Sequence, residues 1–358
     1  GWIDWISTCA STAAIAIVIG ESIVAVTALN ALAAAPIAMS IVAIFTLLLI
    51  RGTKLGDHAQ RVTSLAKALA LLALVVACFV FAGRARVIPP ATPATPATPV
   101  AGSAAPNSFV ALLLAVQAVI YAYDGWSGPI YFSEELADPG RQIPRSMFYG
   151  LLGVAVIYLS INGAFARAVP TSAIAGSPLA AATVAQALFG HRGELLVRLV
   201  VIVSLPSAVN ACLLMASRVL FAISRDGLGV AAATRVNVGG TPIIALVASG
   251  VVSLAFLATG TFNSIIAIAA FFFVANYTLA FITVFVLRRR EPTARRPYRA
   301  IGHPVTTACV LIGSLGFLVS AVLADTTNSI RALAIVVISY PVFRWARPAA
   351  VTAASTVE

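Results

Sequence analysis

An acid, two glycines and a proline fall within six consecutive residues of an otherwise apolar run, where Tyr123-Asp124-Gly125-Trp126-Ser127-Gly128-Pro129 interrupts the stretch from Phe109 to Phe132. Gly and Pro are the poorest helix formers, and backbone groups freed from a helix find no water in hydrocarbon. Such a break persists only where it lines a cavity. Broken helices of this kind build the ion and substrate sites of secondary transporters, with half-helix ends aiming their dipoles at charged ligand groups. A carboxylate at the bilayer centre costs about 2.5–3.5 kcal/mol on insertion scales. Asp124 therefore either serves a ligand, as the desolvated counter-charge of an ammonium, or caps the second half-helix, or pairs with a buried arginine.

Two further groups of charges are candidates. Immediately after the break, Glu134, Glu135 and Asp138 precede Arg141 and Arg145 across Pro139 and Pro144. That order forms either a charge-paired gate or a solvated turn with incidental ion pairs. Lys67 lies inside the apolar stretch Val62 to Ala82, where a lysine either snorkels to the nearby interface or carries function. Enzymatic chemistry finds no support. His58, His191 and His303 fall in or beside connections, and no carboxylate pair, Ser-His arrangement or metal-ligand spacing is expected at membrane depth. No cofactor or metal is implied. Cys9, Cys78, Cys212 and Cys309 are far apart, each within an apolar run, and suggest no disulfide framework.

The elements that must position these residues are membrane helices. Charged residues make up 10% of the 358 positions and hydrophobic ones 60%, with a mean hydropathy of +1.00, which overfills any soluble core. The net charge of +11 sits in short segments between apolar runs and not along one face, so nucleic acid is not an expected partner. Apolar stretches long enough to span run from Trp2 to Thr27, Leu32 to Ile50, Val62 to Ala82, Phe109 to Phe132 and Ser146 to Ala166. Five more run from Leu195 to Ile223, Ile243 to Thr259, Ser264 to Leu287, Val305 to Leu323 and Ile330 to Phe343. An even number of spans puts both termini on one side. That side then holds 17 of the 23 Lys and Arg residues, so both termini are expected in the cytoplasm of a multi-pass cell-membrane protein, with residues 88–106 outside. The chain opens on Gly1 and not on Met, and residues 1–25 lack the basic region and cleavage site of a signal peptide, which suggests sequence upstream.

The string Tyr121-Ala122-Tyr123-Asp124-Gly125-Trp126, with Glu134-Glu135, Asp138-Pro139 and Ile143-Pro144-Arg145 after it, resembles the sixth helix and following loop of the amino acid–polyamine–organocation (APC) transporters. It is most similar to bacterial permeases and exchangers of the L-amino-acid-transporter type. Asn210, Ser217-Arg218 and Ser224-Arg225-Asp226-Gly227 resemble the family's eighth helix and its exit. Phe271-Phe272-Phe273 leading to Arg288-Arg289-Arg290 and Arg296-Pro297-Tyr298 resembles its tenth helix and basic loop, and Arg51-Gly52-Thr53-Lys54 followed by Gln60 and Lys67 resembles the turn between its fourth and fifth helices and the fifth-helix lysine.

The resemblance implies an all-α polytopic protein of the LeuT-type inverted-repeat fold, here lacking the family's first two helices. It divides the chain into a remnant of the first repeat (1–83), an outer Pro/Ala/Thr-rich loop (84–107), a second repeat (108–287), a basic cytoplasmic loop (288–304), two C-terminal helices (305–347) and a tail (348–358). It also implies a secondary amino acid permease or exchanger of a bacterial inner membrane, with proton or counter-substrate coupling. The alternative is a non-transporting fragment that lacks the substrate-binding first helix. By resemblance, Tyr121 is an aromatic gate, Ala122, Tyr123, Asp124, Gly125, Trp126 and Ser127 meet the substrate's ammonium end, and Phe271 and Phe272 border its side chain. Lys67 takes the place of a coupling sodium ion, and Glu134, Glu135, Arg141, Arg145 and Arg218 form a cytoplasmic gate.

Overall fold

The computed structural model describes residues 1–51, 56–81, 108–175, 177, 179–237, 239–294, 296 and 298–346. The described residues are helical with no β-strand. In chain order the helices are α1 (Trp2–Thr27), α2 (Ala34–Ile50), α3 (Gly56–Phe81), α4 (Ser108–Tyr123), α5 (Pro139–Ala168), α6 (Thr171–Ile174), α7 (Ala180–Phe189), α8 (His191–Arg225), α9 (Ile243–Thr259), α10 (Phe262–Arg290), α11 (Val305–Ala324) and α12 (Thr326–Ala346). Six of them, α1, α2 with its lead-in from Ala31, α5, α8, α10 and α11, are long and apolar enough to cross a membrane.

Each expected span overlaps one of these helices, the one from Phe109 to Phe132 covering α4 and the chain beyond its end. The differences lie at the ends and in one connection. The stretch after α5, expected as a loop, holds α6 and the ten-residue α7. Helix α5 begins at Pro139, upstream of the expected start, because Asp138 accepts a hydrogen bond from the Arg141 N–H and Pro139 takes the first turn, where its missing N–H costs nothing. Arg141 and Arg145 consequently sit on the first turns of a helix and not in a turn. The outer loop (84–107), the tail (348–358) and residues Gly52 to Leu55 lie outside the described residues.

Helix α1 is central and packs against α2, α8, α9 and α10. Its Ala10, Ala13, Ala14 and Ala16 are wholly buried, and Gly20 lets the α2 backbone approach so closely that a Cβ there would press on the Ala34 carbonyl. Small residues at such crossings are what membrane helices use in place of a hydrophobic drive. Trp5 ties the same helix to α9, its indole N–H donating to Ser249 Oγ at 2.8 Å. The outer faces of α3, α5, α11 and α12 expose Leu, Ile and Val side chains, the surface that a hydrocarbon surround requires.

Candidate functional site

Helix α4 stops at Tyr123. The chain then turns through residues 124–127, with the Gly128 N–H donating to the Gly125 carbonyl at 2.9 Å, and continues as a 3-10 stretch, Gly128–Glu135, with Pro129 in its first turn. Gly125 has φ 102°, open to glycine and strained for any side chain. One carbonyl left over by the break, that of Ala122, accepts a hydrogen bond from Tyr158 Oη on α5 at 3.1 Å. This meets the demand that freed backbone groups at membrane depth find a protein partner.

The break opens onto a cavity of about 350 Å³ lined from α1, α4, α5, α8 and α10. Asp124 faces it. Tyr277 Oη donates to Asp124 Oδ1 at 2.8 Å and accepts from Trp126 Nε1 at 3.0 Å, with the two rings 5.5 Å apart. A second carboxylate, Asp4 of α1, lines the same cavity. Tyr131 Oη donates to Asp4 Oδ1 at 2.9 Å, and Asn276 Nδ2 approaches the same oxygen at 3.5 Å. Asn276 and Tyr277 are consecutive on α10, so one turn of that helix serves both acids. Asp4 and Asp124, 120 positions apart in sequence, thus line one cavity, an arrangement that α10 brings about by packing against both α1 and α4.

Asp4 and Tyr131 also line a larger space of about 640 Å³, together with Arg218, Arg225 and Asp226 at the end of α8. Their mutual hydrogen bond therefore stands between the inner cavity and this vestibule.

Tyr121, Ala122, Asp124, Gly125 and Ser127 line the inner cavity, while Tyr123 and Trp126 turn toward a neighbouring space beside α5. Phe271 and Phe272 are buried in the packed core with Trp5, Ile6 and Cys9, and their neighbour Phe273 lines the cavity, its ring 6.3 Å from Tyr121. Arg218 is half-buried in the vestibule wall. Arg141 and Arg145 are exposed and form no ion pair among the described residues. The side chains of Lys67, Glu134 and Glu135 lie outside the described part of the structure. Sequence reasoning missed Asp4, Tyr131, Tyr158, Phe273, Asn276 and Tyr277. The available signal was Asp4, an acid at the start of an apolar span.

No described group of three or more His, Cys, Asp or Glu residues is placed to hold a metal ion. What the cavity offers is charge and aromatic faces: two carboxylates fixed by hydroxyl donors, and the rings of Tyr121, Tyr158 and Phe273. Such walls are chemically suited to a small cationic or ammonium-bearing solute.

Comparison with known proteins agrees with that chemistry. A sequence model described as amino acid permease matches residues 1–340. The serine/threonine exchanger SteT of Bacillus subtilis (strain 168) is 27% identical over 296 residues, which cover 82% of this chain and 65% of that protein. The b(0,+)-type amino acid transporter 1 of Mus musculus is 25% identical over 69% of this chain and 49% of its own length. The large neutral amino acids transporter small subunit 2 of Homo sapiens is 30% identical over 50% of this chain and 34% of its own length. The chain thus spans between about one third and two thirds of the curated relatives it matches. With all but its last residues matched to that family and a polytopic helical fold broken at an acid-lined cavity, the chain belongs to the amino acid permease family.

Proposed function

We propose that this protein carries amino acids across the cell membrane as a secondary permease or exchanger working by alternating access. The observation that carries the reading is Asp124: a carboxylate placed by a helix break against a cavity, held by Tyr277 and without a cationic partner among the described residues. An α-ammonium entering the cavity gains a charge-assisted hydrogen bond there, and the backbone carbonyls from Ala122 to Ser127 surround the same end. Tyr121 and Phe273 close one side of the cavity and the Tyr131–Asp4 bond separates it from the vestibule. Alternating access then amounts to opening one of these closures at a time.

The vestibule lies at the Arg-rich ends of the helices. The distribution of Lys and Arg supports a cytoplasmic vestibule and cytoplasmic termini, in a bacterial inner membrane. Glu134, Glu135, Arg141, Arg145 and Arg218 are proposed to gate that side, and Lys67 to supply a fixed charge in place of a sodium ion. Residues 1–83 and 108–287 are proposed to belong to two structural repeats, followed by the basic loop 288–304 and the C-terminal helices. The relatives' names, an exchanger among them, favour counter-substrate exchange over uniport.

The test is reconstitution of the full chain in liposomes loaded with unlabelled amino acids. Accelerated entry of labelled amino acid when a counter-substrate is present inside supports the reading. Entry no faster than into protein-free liposomes, from protein that also binds no amino acid in detergent, would overturn it.

A further inference from the structure

We infer that the connection between α10 and α11 is a docking surface for the headgroup of an anionic phospholipid, with Arg288, Arg289, Arg290 and Arg299 taking the phosphate. The surface lies away from the cavity, and the inference does not depend on what the cavity carries. Residues 288–299 hold six arginines and one acid, Glu291. Among the described residues none of these charges forms an ion pair. Arg289, Arg290 and Arg299 are exposed and Arg288 is half-buried.

Orientation across a membrane accounts for arginines in a connection, but not for their ordered setting or for their neighbours. Arg296 reaches back to α10 and donates to the carbonyls of Leu287 at 3.3 Å, Glu291 at 2.7 Å and Ala294 at 3.1 Å. The last carbonyls of a helix carry partial negative charge that would repel an anion, and Arg296 offsets it. Phe285 precedes Arg288 and Arg289 by three and four residues, on the same face of α10, and its ring centroid lies 5.1 Å from that of His303. Thr307 Oγ1 of α11 lies 3.0 Å from His303 Nδ1, and Thr306 Oγ1 donates to the Ile301 carbonyl at 2.8 Å. The start of α11 is thereby fixed beside the arginines of α10. Large apolar side chains stand out next to that charge: Tyr298 and Val305 are exposed, and Ile301 is 83% exposed. Such a mixture fits the boundary between headgroups and acyl chains, where the apolar side chains enter and guanidinium groups meet phosphate in pairs of hydrogen bonds. A soluble anion offers nothing to Ile301, so the surface matches a lipid and not free phosphate. A run of about four to eight basic residues directly beyond a membrane helix is how anionic lipids are recognised elsewhere.

Binding of tritiated phosphatidylglycerol to the full chain in detergent is measured by scintillation proximity, with unlabelled phosphatidylglycerol, phosphatidylcholine and inorganic phosphate as competitors. Phosphatidylglycerol should compete at least about tenfold better than phosphatidylcholine, and inorganic phosphate should not compete at equal concentration. Arg289→Gln with Arg290→Gln should weaken phosphatidylglycerol binding by about tenfold. Arg141→Gln with Arg145→Gln removes the same charge from the start of α5 and should weaken it by less than about twofold. Melting curves establish that each protein is folded. If the α10 pair does not fold, Arg299→Gln takes its place, with a loss of about threefold expected. Equal competition by the two lipids, displacement by inorganic phosphate, no loss from the variants of the α10–α11 connection, or an equal loss from the α5 pair would overturn the inference.

Discussion

Removing one oxygen atom from α10 tests whether the candidate site is built as described. Tyr277 Oη is the sole described side-chain donor to Asp124 and also receives the indole N–H of Trp126. Tyr277→Phe deletes both bonds and keeps the ring that stacks against Trp126, so packing changes little. A hydrogen bond to a charged group contributes about 1.5–3 kcal/mol and a neutral one about 0.5–1.5 kcal/mol. The Trp126 side is the smaller loss, because that bond joins two neutral groups and the residue is 36% exposed. If the bond to Asp124 holds the carboxylate ready for an ammonium, the loss is felt mainly in ligand affinity, at about tenfold, while thermal stability falls only slightly. Asp124→Asn should cost more, because it removes the charge itself. The two changes together should fall short of additivity by about 1–2 kcal/mol, since each disables the same contact. Dissociation constants for an amino acid are measured for the four proteins of the cycle in one detergent, with melting curves confirming that each is folded. Effects that add to within about 0.5 kcal/mol would refute the reasoning, because Tyr277 would then act on the ligand without passing through Asp124.

Gly125→Ala should destabilise the protein by about 1–2 kcal/mol and weaken ligand binding, because φ 102° is closed to alanine although the space around it is empty; Gly128→Ala, equally uncrowded and without positive φ, is the control expected to melt close to the unaltered protein. Cys212 lines the cavity while Cys9 and Cys78 are wholly buried, so a small methanethiosulfonate should block binding through Cys212, a saturating ligand should protect, and Cys212→Ser should abolish the effect; block without protection would place the thiol off the ligand's path. Replacing sodium by choline outside proteoliposomes should leave uptake unchanged, as expected where Lys67 supplies the fixed charge, and a strict sodium requirement would contradict that role.

The break at Asp124 was legible because glycines and a proline inside an apolar run work against a continuous helix, whichever role the acid beside them takes. The walls of the cavity were less so, for reasons visible in particular residues. Asp4 lies in the first turn of α1, where an acid also reads as a partner of the helix dipole. Its hydrogen-bonding partners are 127 and 272 positions away, so no local pattern announces them. Along Phe271-Phe272-Phe273, successive side chains point about 100° apart around the helix, and only the packing of α10 against α1 and α11 decides which one meets the cavity. Apolar periodicity is silent there, because a helix buried on several sides is hydrophobic all round.

One signal in the sequence was nevertheless stronger than it looked. Most Ser and Thr hydroxyls in these helices are spent locally: Thr12, Ser22, Thr46, Ser253 and Thr278 all donate to the carbonyl four residues back. Such side chains are too short to reach a neighbouring helix and satisfy themselves on their own backbone instead. Polar contacts that do cross between elements near the break come from long aromatic side chains: Tyr131 to Asp4, Tyr277 to Asp124, Trp126 to Tyr277 and Tyr158 to the Ala122 carbonyl. A Tyr or Trp carries an apolar body that costs nothing in a membrane helix and a polar tip that must find a partner. When several of them surround an acid that has no basic partner, their tips have nowhere better to go than that acid. The aromatic residues of the turn after α4, of the 3-10 stretch, of α5 and of α10 therefore converge on the cavity, and its two carboxylates are held there by hydroxyl donors and not by a basic side chain in a described ion pair.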